Sequence, residues 1–300
     1  MIVSVLLGVI GPVFVIIGAG YVVGRTVGLD RRALGRSVLY VFAPALALDS
    51  LTRTTLSNAE LGQIVGFVFL ATAILGAIVW GGARVARMPI VRMDALLLST
   101  LLMNAGNYGI SASLFAFGQA GLDRAVVFFS ISQVVMYTLG VFLASRGQET
   151  ARQALINILR LPVFWALLLG LVIREMGWTL PDLLAKPAAL AGAAAVPVLL
   201  VSLGAEMGKI QGIRDWRGAG IATAIRLGLS VPVAFVAGRA LGITGVTLSV
   251  CVLQFAMPTA VTPLALALEF GSDAEFVTGA IFVSTLASVV TLTLLLTFLH

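Results

Sequence analysis

The sequence predicts an all-α integral membrane protein of ten transmembrane helices in two inverted five-helix repeats. Three observations carry that prediction. First, 60% of the 300 residues are hydrophobic and 11% charged, with a mean hydropathy of +1.09. Soluble domains carry about 45–50% apolar and about 25% charged residues. Second, apolar runs of about 20 residues, the length that crosses a bilayer core, occur ten times. Third, short motifs recur in order at a nearly constant offset.

The first run, 2–23, lacks the basic segment of a signal peptide and is long enough to span, so it is expected to be the first helix. Its Gly20-x-x-x-Gly24 is a small-residue packing pattern. The runs at 34–52, 61–83, 94–118 and 125–145 complete a first half, 1–150. Asp49, near the end of the second run, reads as an interfacial residue. Residues 146–161 (RGQETARQALINILRL) place polar and apolar residues at helical spacing and are expected to form an interfacial linker. A second half, 151–300, holds the runs 162–178, 185–206, 217–241, 246–270 and 275–298.

Pro12-Val13-Phe14 with Gly20 recurs as Pro162-Val163-Phe164 with Gly170. Ala43-Pro44-Ala45-Leu46 recurs as Val196-Pro197-Val198-Leu199, and Phe117-Gly118 as Phe270-Gly271. An odd number of spans per repeat forces the second repeat to enter from the opposite side, which is the inverted build of many secondary transporters.

Composition removes most enzyme chemistry. His300 is the only histidine and Cys251 the only cysteine, so no His/Cys metal cluster, Cys-His dyad or disulfide framework can be assembled. No cofactor is expected. The pI near 10.2 reflects Lys and Arg scattered through short loops rather than a nucleic-acid-binding patch. With the N-terminus outside, Arg25, Arg31, Arg32, Arg36, Arg84, Arg87, Arg92, Arg146, Arg152, Arg160, Lys209, Arg214 and Arg217 fall inside. Arg53, Arg124, Arg174, Lys186 and Arg239 fall outside. The positive-inside rule therefore predicts a multi-pass protein of the cell membrane with both termini outside.

Chemistry is expected where the spans are interrupted. Asn104, Gly106, Asn107 and Gly109 fall near the middle of the fourth run, and Gly and Asn are poor at holding a helix interior. The ninth run has Gln254, Met257, Pro258, Thr259, Thr262 and Pro263 at the corresponding depth. Each proline removes a backbone donor, and Thr262-Pro263 reads as an N-cap followed by proline at the first helical position. Two half-helix N-termini meeting there would suit a carboxylate. Pro12, Pro44, Pro197 and Pro232 read as kinks. Arg226, about ten residues into the eighth run, is either part of the site or a structural cation that snorkels or pairs with an acid such as Glu206.

These motifs make the chain resemble the auxin efflux carrier family of permeases, which includes plant auxin exporters and bacterial carriers suggested to move malate or malonate. The likeness spans nearly the whole chain. It is most specific in Asn104-x-Gly106-Asn107-x-Gly109 followed by Phe117-Gly118, and in Met257-Pro258-Thr259-Ala260 followed by Glu269-Phe270-Gly271. The resemblance implies the fold of NhaA-type antiporters and bile-acid symporters. Spans 1, 2, 6 and 7 would form a scaffold, and spans 3–5 and 8–10 a transport domain whose broken spans 4 and 9 cross at the substrate. Ser111 stands where the family usually has a crossover proline.

The expected function is secondary transport of a small organic anion, in the first place a carboxylate, by elevator-like movement. Asn104 and Asn107 would hydrogen-bond the substrate, Gly106 and Gly109 would let backbone approach it, and Pro258 and Pro263 would hold the opposing break. A cation-coupled symporter or antiporter of the same fold is the nearest rival. A non-transporting receptor would need an output domain, and an intramembrane enzyme would need a midplane His or carboxylate pair. The expected partners are the organic anion and the bilayer, with a homodimer left open and no nucleic acid.

Overall fold

The computed structural model describes residues 2–145, 151–208, 210 and 212–299. Arg146, Lys209 and His300, which entered the charge and composition readings, lie outside the described residues. The described chain is helical, without a named strand.

Helix α1 (Ile2–Thr26) is followed by α2 (Ala33–Arg53) and α3 (Asn58–Val85). Pro12 and Pro44, inside α1 and α2, each have a local effect. Wide π-turns occupy Leu6–Ile10 in α1 and Val38–Phe42 in α2, and these turns contain the residues four before Pro12 and Pro44. A proline ring crowds that carbonyl and withholds its hydrogen bond, so the turn opens. Helix α3 begins with a capping box, in which Ser57 Oγ accepts from the Glu60 amide at 3.2 Å and Glu60 Oε2 accepts from the Ser57 amide at 3.0 Å.

Helix α4 (Ile90–Leu101) stops in mid-run. The chain resumes as α5 (105–117) and, after a break at Gly118, α6 (119–144). A short α7 (Ala151–Leu159) occupies the described part of the linker, and Trp165 Nε1 donates to its last carbonyl at 2.8 Å. The second half comprises α8 (Pro162–Glu175), α9 (Asp182–Met207), α10 (Trp216–Ala240), α11 (Gly245–Phe255), α12 (Thr262–Phe270) and α13 (Ala274–Leu299). In α10 a third π-turn, Ala224–Leu229, contains the residue four before Pro232.

Seven helices among the described residues are long and apolar enough to cross a membrane. The runs at 94–118 and 246–270 are not continuous helices, because each breaks at its polar or proline-rich centre. The sixth run is also shorter than expected, since α8 ends at Glu175 with Gly177 at φ 63°. The repeated Phe-Gly has a backbone cause. Gly118 has φ 63° and Gly271 φ 69°, positive values that glycine adopts at little steric cost and that let each half-helix hand over to the next span.

Helix α9 packs against α1, and α2 lies against α8 and α9. The α1/α9 contact is a backbone-to-backbone approach. An added Cβ on Gly20 would lie 2.8 Å from Val201 Cα, and one on Gly24 2.7 Å from Ala205 Cα. From the other side, a Cβ on Gly204 would strike the Ile17 carbonyl and lie 2.7 Å from the Tyr21 amide. Such interlocked small residues are how helices associate where no hydrophobic driving force separates them from lipid.

The remaining helices are fastened at both ends. At one end Arg124, on α6, meets Glu60 of α3 at 2.7 Å and Thr247 of α11 at 2.7 Å. At the other, Arg92, at the start of α4, pairs with Asp215, which caps α10 through the Gly218 amide, and lies over the Phe276 ring of α13.

Gly204→Ala should lower the melting temperature of the purified protein in detergent, at a cost of about 1–3 kcal/mol for overpacking. Gly81→Ala, in an open position of α3, should be neutral or slightly stabilising. Equal melting temperatures for the two variants would contradict the α1/α9 packing.

Candidate functional site

The two breaks meet. Between α4 and α5, Leu102 is extended and Asn104 has φ −80° and ψ 57°. Between α11 and α12, Met103's antiparallel bridge partner is Thr259. The Asn104 amide donates to the Pro258 carbonyl at 2.8 Å, and the Ala260 amide donates to the Leu102 carbonyl at 2.9 Å. Backbone that has left its helix inside a membrane must find partners within the protein. Here each broken segment supplies them to the other.

Helices α4 and α11 therefore point their C-terminal ends at the crossing, and α5 and α12 start from it. Arg226, fully buried on α10, closes the C-terminal side. Its Nη1 donates to the Thr100 carbonyl and its Nη2 to the Phe255 carbonyl, and its guanidinium lies 5.0 Å from the Phe255 ring centroid. Both acceptors are in the last turns of half-helices, where the helix dipole is negative. The structure thus gives Arg226 backbone partners at the crossing, rather than the Glu206 partner considered from sequence.

On the other side lies a cavity of about 710 Å3. Its inner wall includes Met103, Asn104, Gly106, Asn107 and Thr262. The facing wall comes from Val38, Leu39 and Ala43 of α2 and Leu199, Ser202 and Glu206 of α9. Phe129, Gln133, Met136 and Tyr137 of α6 form a third side, and the cavity reaches Gly28–Asp30 between α1 and α2 and Gly35 in the first turn of α2. That end carries the loop arginines. A smaller cavity of about 420 Å3 shares Glu206, Val261, Leu264 and Leu268 with it.

Asn104 is 4% exposed, and its Nδ2 has no hydrogen-bond partner among the described residues. An unpaired buried amide costs about 1–3 kcal/mol, and this one sits at the N-terminus of α5 on the cavity wall. Asn107, three residues further along the chain on the same wall, is half-buried.

The other sequence-selected residues have different places. Gly109, Met257, Pro258, Thr259, Pro263, Gln254 and Arg226 do not line the cavity. Gly109 makes room for the Gln254 carboxamide, which occupies the place a Cβ would take, and Gln254 Nε2 lies 3.3 Å from Ser113 Oγ. Gly106 admits the Phe129 ring, 2.6 Å from an added Cβ. Thr259 Oγ1 donates to the Ser99 carbonyl at 2.7 Å, closing the last turn of α4, while its amide donates to Ser284 Oγ at 3.1 Å. Met257 is fully buried.

Thr262 is not the N-cap. Val261 occupies that position without a side-chain cap, and Thr262 and Pro263 are the first two helical residues. A proline anywhere in the first turn lacks only an amide that had no intrahelical partner, so the boundary can move by one residue at little cost. Ser111 lies within helix, after the π-turn Ala105–Ile110, and not in the crossing segment.

Sequence reasoning missed the α6 and α9 walls. Gln133/Tyr137 and Ser202/Glu206 are pairs four residues apart in otherwise apolar helices. That spacing puts both members on one face, and it is the signal that could have found them.

A helical membrane protein whose two interrupted helices cross beside a cavity is built as a carrier of small molecules. The comparisons place it more closely: the family described as "Membrane transport protein" matches residues 5–296, and the chain belongs to that auxin efflux carrier-like family. It is 30% identical over 290 residues to an uncharacterized transporter of Methanothermobacter thermautotrophicus, covering 94% of each chain. It is 23% identical over 281 residues to an uncharacterized transporter of Methanocaldococcus jannaschii, covering 88% of each.

Because Arg226 satisfies two carbonyls, Arg226→Leu should be strongly destabilised, since each stranded buried acceptor costs about 1–3 kcal/mol. Arg226→Lys should recover only part of that, because one ammonium replaces a two-armed donor. Melting temperatures of the purified variants check this, and an unchanged melt for Arg226→Leu would refute the bridging role.

Proposed function

We propose that the protein is a secondary carrier of a small organic anion, in the first place a carboxylate. The observation that carries this reading is Asn104, whose unpaired buried amide donor stands on the cavity wall where two helices begin. Free amides and the positive dipole end of a helix attract an anion. The α5 and α12 starts bring two such ends to one place, with Asn107 and Thr262 on the same wall.

The proposed architecture is ten spans in two inverted repeats, with α4/α5 and α11/α12 as the broken pair. Helices α1, α2, α8 and α9 are the scaffold, and α3–α6 with α10–α13 are the moving body. The end clamps support the repeat. Glu60 and Asp215 are 155 residues apart, as are Arg92 and Thr247, close to the offset of the sequence motifs. The cavity lies between the two bodies and reaches the arginine-rich end, so with both termini outside this is the inward-open arrangement. Sliding the crossing past the scaffold would carry the bound anion outward.

A coupling metal ion would use the C-terminal ends of the half-helices, as in carriers whose broken helices coordinate Na+. In this chain the Arg226 guanidinium occupies those carbonyls. That favours the anion carrier over the metal-cation-coupled rival.

Counterflow uptake in proteoliposomes against radiolabelled mono- and dicarboxylates, amino acids and indole acids tests the reading. Uptake of no carboxylate would refute it. Asn104→Ala should weaken substrate binding by roughly ten- to a hundredfold, the equivalent of losing one hydrogen bond to a charged group at about 1.5–3 kcal/mol, while the protein still folds. Parental affinity in a folded Asn104→Ala variant would remove the crossing from the site. Reporter fusions at the C-terminus that are active only in the cytoplasm would overturn the assigned orientation.

A further inference from the structure

We infer that the smaller cavity takes one acyl chain of a zwitterionic phospholipid, its tail end toward the crossing and its headgroup at the arginine-rich end. Such a lipid site is independent of what the larger cavity carries. The smaller cavity measures about 420 Å3, within the ~300–1,000 Å3 of small-molecule pockets. Its walls are the end of α9, one side of α12, the first turns of α13 and the chain between α9 and α10. Helix α12 stands between the two cavities and lines both through Val261, Leu264 and Leu268.

Polarity in this cavity changes with depth. Helix α12 runs from the crossing toward the arginine-rich end and α13 returns from it, so position along either is a depth scale of about 1.5 Å per residue. Deepest are Val261 and the fully buried Ile281. Ile281 lies less than one turn short of Ser284, which accepts from the Thr259 amide at the crossing. Leu264 and Thr278 follow at mid-depth, and at the rim stand Glu275 of α13 and Arg214 of the α9–α10 connection, both exposed. The rim belongs to the arginine-rich end, because Arg92 lies over the ring of Phe276, next to Glu275. Trp216, two residues after Arg214, is exposed, as suits an aromatic side chain at headgroup level. The larger cavity differs, since its crossing end is polar, with Asn104, Asn107 and Thr262. A polar solute finds partners by entering that one deeply, but in the smaller cavity it would exchange water for Val261, Leu264 and Ile281. An alkyl chain gains from the same exchange.

The rim offers one charge of each sign. Among the described residues Arg214 and Glu275 form no ion pair with each other, whereas Glu206, shared with the larger cavity, already interacts within the protein. A guanidinium binds a phosphate, and a carboxylate accepts from a primary ammonium. Phosphatidylethanolamine carries both partners. Phosphatidylglycerol has the phosphate alone and leaves Glu275 facing a like charge. Because both rim groups are exposed, headgroup choice is modest, and the apolar walls supply most of the affinity. On the division of helices proposed above, the chain would touch the scaffold through Met207 and the moving body through Leu264 and Ile281.

The test is photolabelling of the full-length protein in liposomes with phosphatidylethanolamine that carries a diazirine at its tail end, followed by mapping of the labelled residues by mass spectrometry. Label is expected on Val261, Leu264 and Ile281. Label confined to outward faces, such as the exposed Val15 and Val290, would overturn the inference. Thr278→Trp fills the smaller cavity without reaching the larger one, and should cut the cavity label by about tenfold or more while the outward label stays. Undiminished cavity label in a folded Thr278→Trp protein would likewise overturn it. The rim is tested with a substitution at an exposed site, which does not depend on repacking. Unlabelled phosphatidylethanolamine should compete with the probe about two- to fivefold better than phosphatidylglycerol, the size of effect expected near a surface, and Glu275→Lys should reverse that order. Equal competition in the parent, or an order unchanged in Glu275→Lys, would overturn the zwitterionic assignment. Carboxylate uptake, measured separately, decides the carrier reading, so either can fail alone.

Discussion

The crossing exists because backbone amides and carbonyls cannot be left bare inside a bilayer. Four half-helices converge there, and every converging end exposes groups that a continuous helix would have paired internally. The protein resolves this in three ways. The extended segments pair with each other through Asn104–Pro258 and Ala260–Leu102. Side chains such as Thr259 close individual turns. Arg226 gathers the carbonyls of two C-terminal ends with one cation. Among the side-chain donors that the described residues leave without a partner near the crossing, Asn104 Nδ2 is on the cavity wall, while Arg226 Nε and Ser99 Oγ lie away from it.

That division separates amides that face protein from amides that face the cavity. Gln254 and Asn104 are both buried amides near the crossing. Gln254 is wedged against Gly109 and beside Ser113; its Oε1 is buried without a partner too, but away from the cavity. Asn104 has its Nδ2 unpaired at a cavity wall, where a ligand acceptor would complete it. The cost of an unmet donor in the empty site becomes a gain only when an acceptor arrives, which makes it a term in affinity rather than in stability.

The breaks were legible in the sequence because their causes are local. Proline withholds a donor, glycine and asparagine tolerate non-helical backbone, and Phe117-Gly118 and Phe270-Gly271 recur because both glycines must adopt positive φ. The kink reading of Pro12, Pro44 and Pro232 has the same local origin and appears as π-turns four residues upstream, whereas Pro197 lies inside the α-helix Asp182–Met207 without such a turn. Partners were not legible. That Arg226 would meet Thr100 and Phe255, or that Gln254 would fill the space of Gly109, depends on how helices far apart in sequence are brought together. The α6 wall was hidden for another reason: Gln133 and Tyr137 are only two polar side chains in a run whose overall character is apolar, so hydropathy alone passes over them. Only the length of the sixth run was overestimated, since its helix ends at Glu175 while hydropathy sums past that point.

The distribution of polar links says where the molecule can move. The clamps Glu60–Arg124–Thr247 and Arg92–Asp215 tie α3, α6 and α11 at one end and α4 and α10 at the other, so the helices that carry the crossing are bound into one unit from both sides. The α1/α9 contact is a glycine-mediated backbone lock that leaves no slack for sliding. Among the described residues, two hydrogen bonds between these groups sit at the end away from the cavity mouth. Ser50 Oγ donates to Asp123 at 2.9 Å, and Asn58 Nδ2 donates to Glu175 at 3.1 Å. Each is a single hydrogen bond worth about 0.5–1.5 kcal/mol net, or up to about 3 where a charged group takes part. The same boundary also holds apolar packing, such as the edge contact of the Phe14 and Tyr108 rings, which is non-directional and has no hydrogen-bond register to break. Under an elevator-like reading, the boundary that yields is therefore the wall facing the cavity, and the crossing travels with its Arg226 bridge intact.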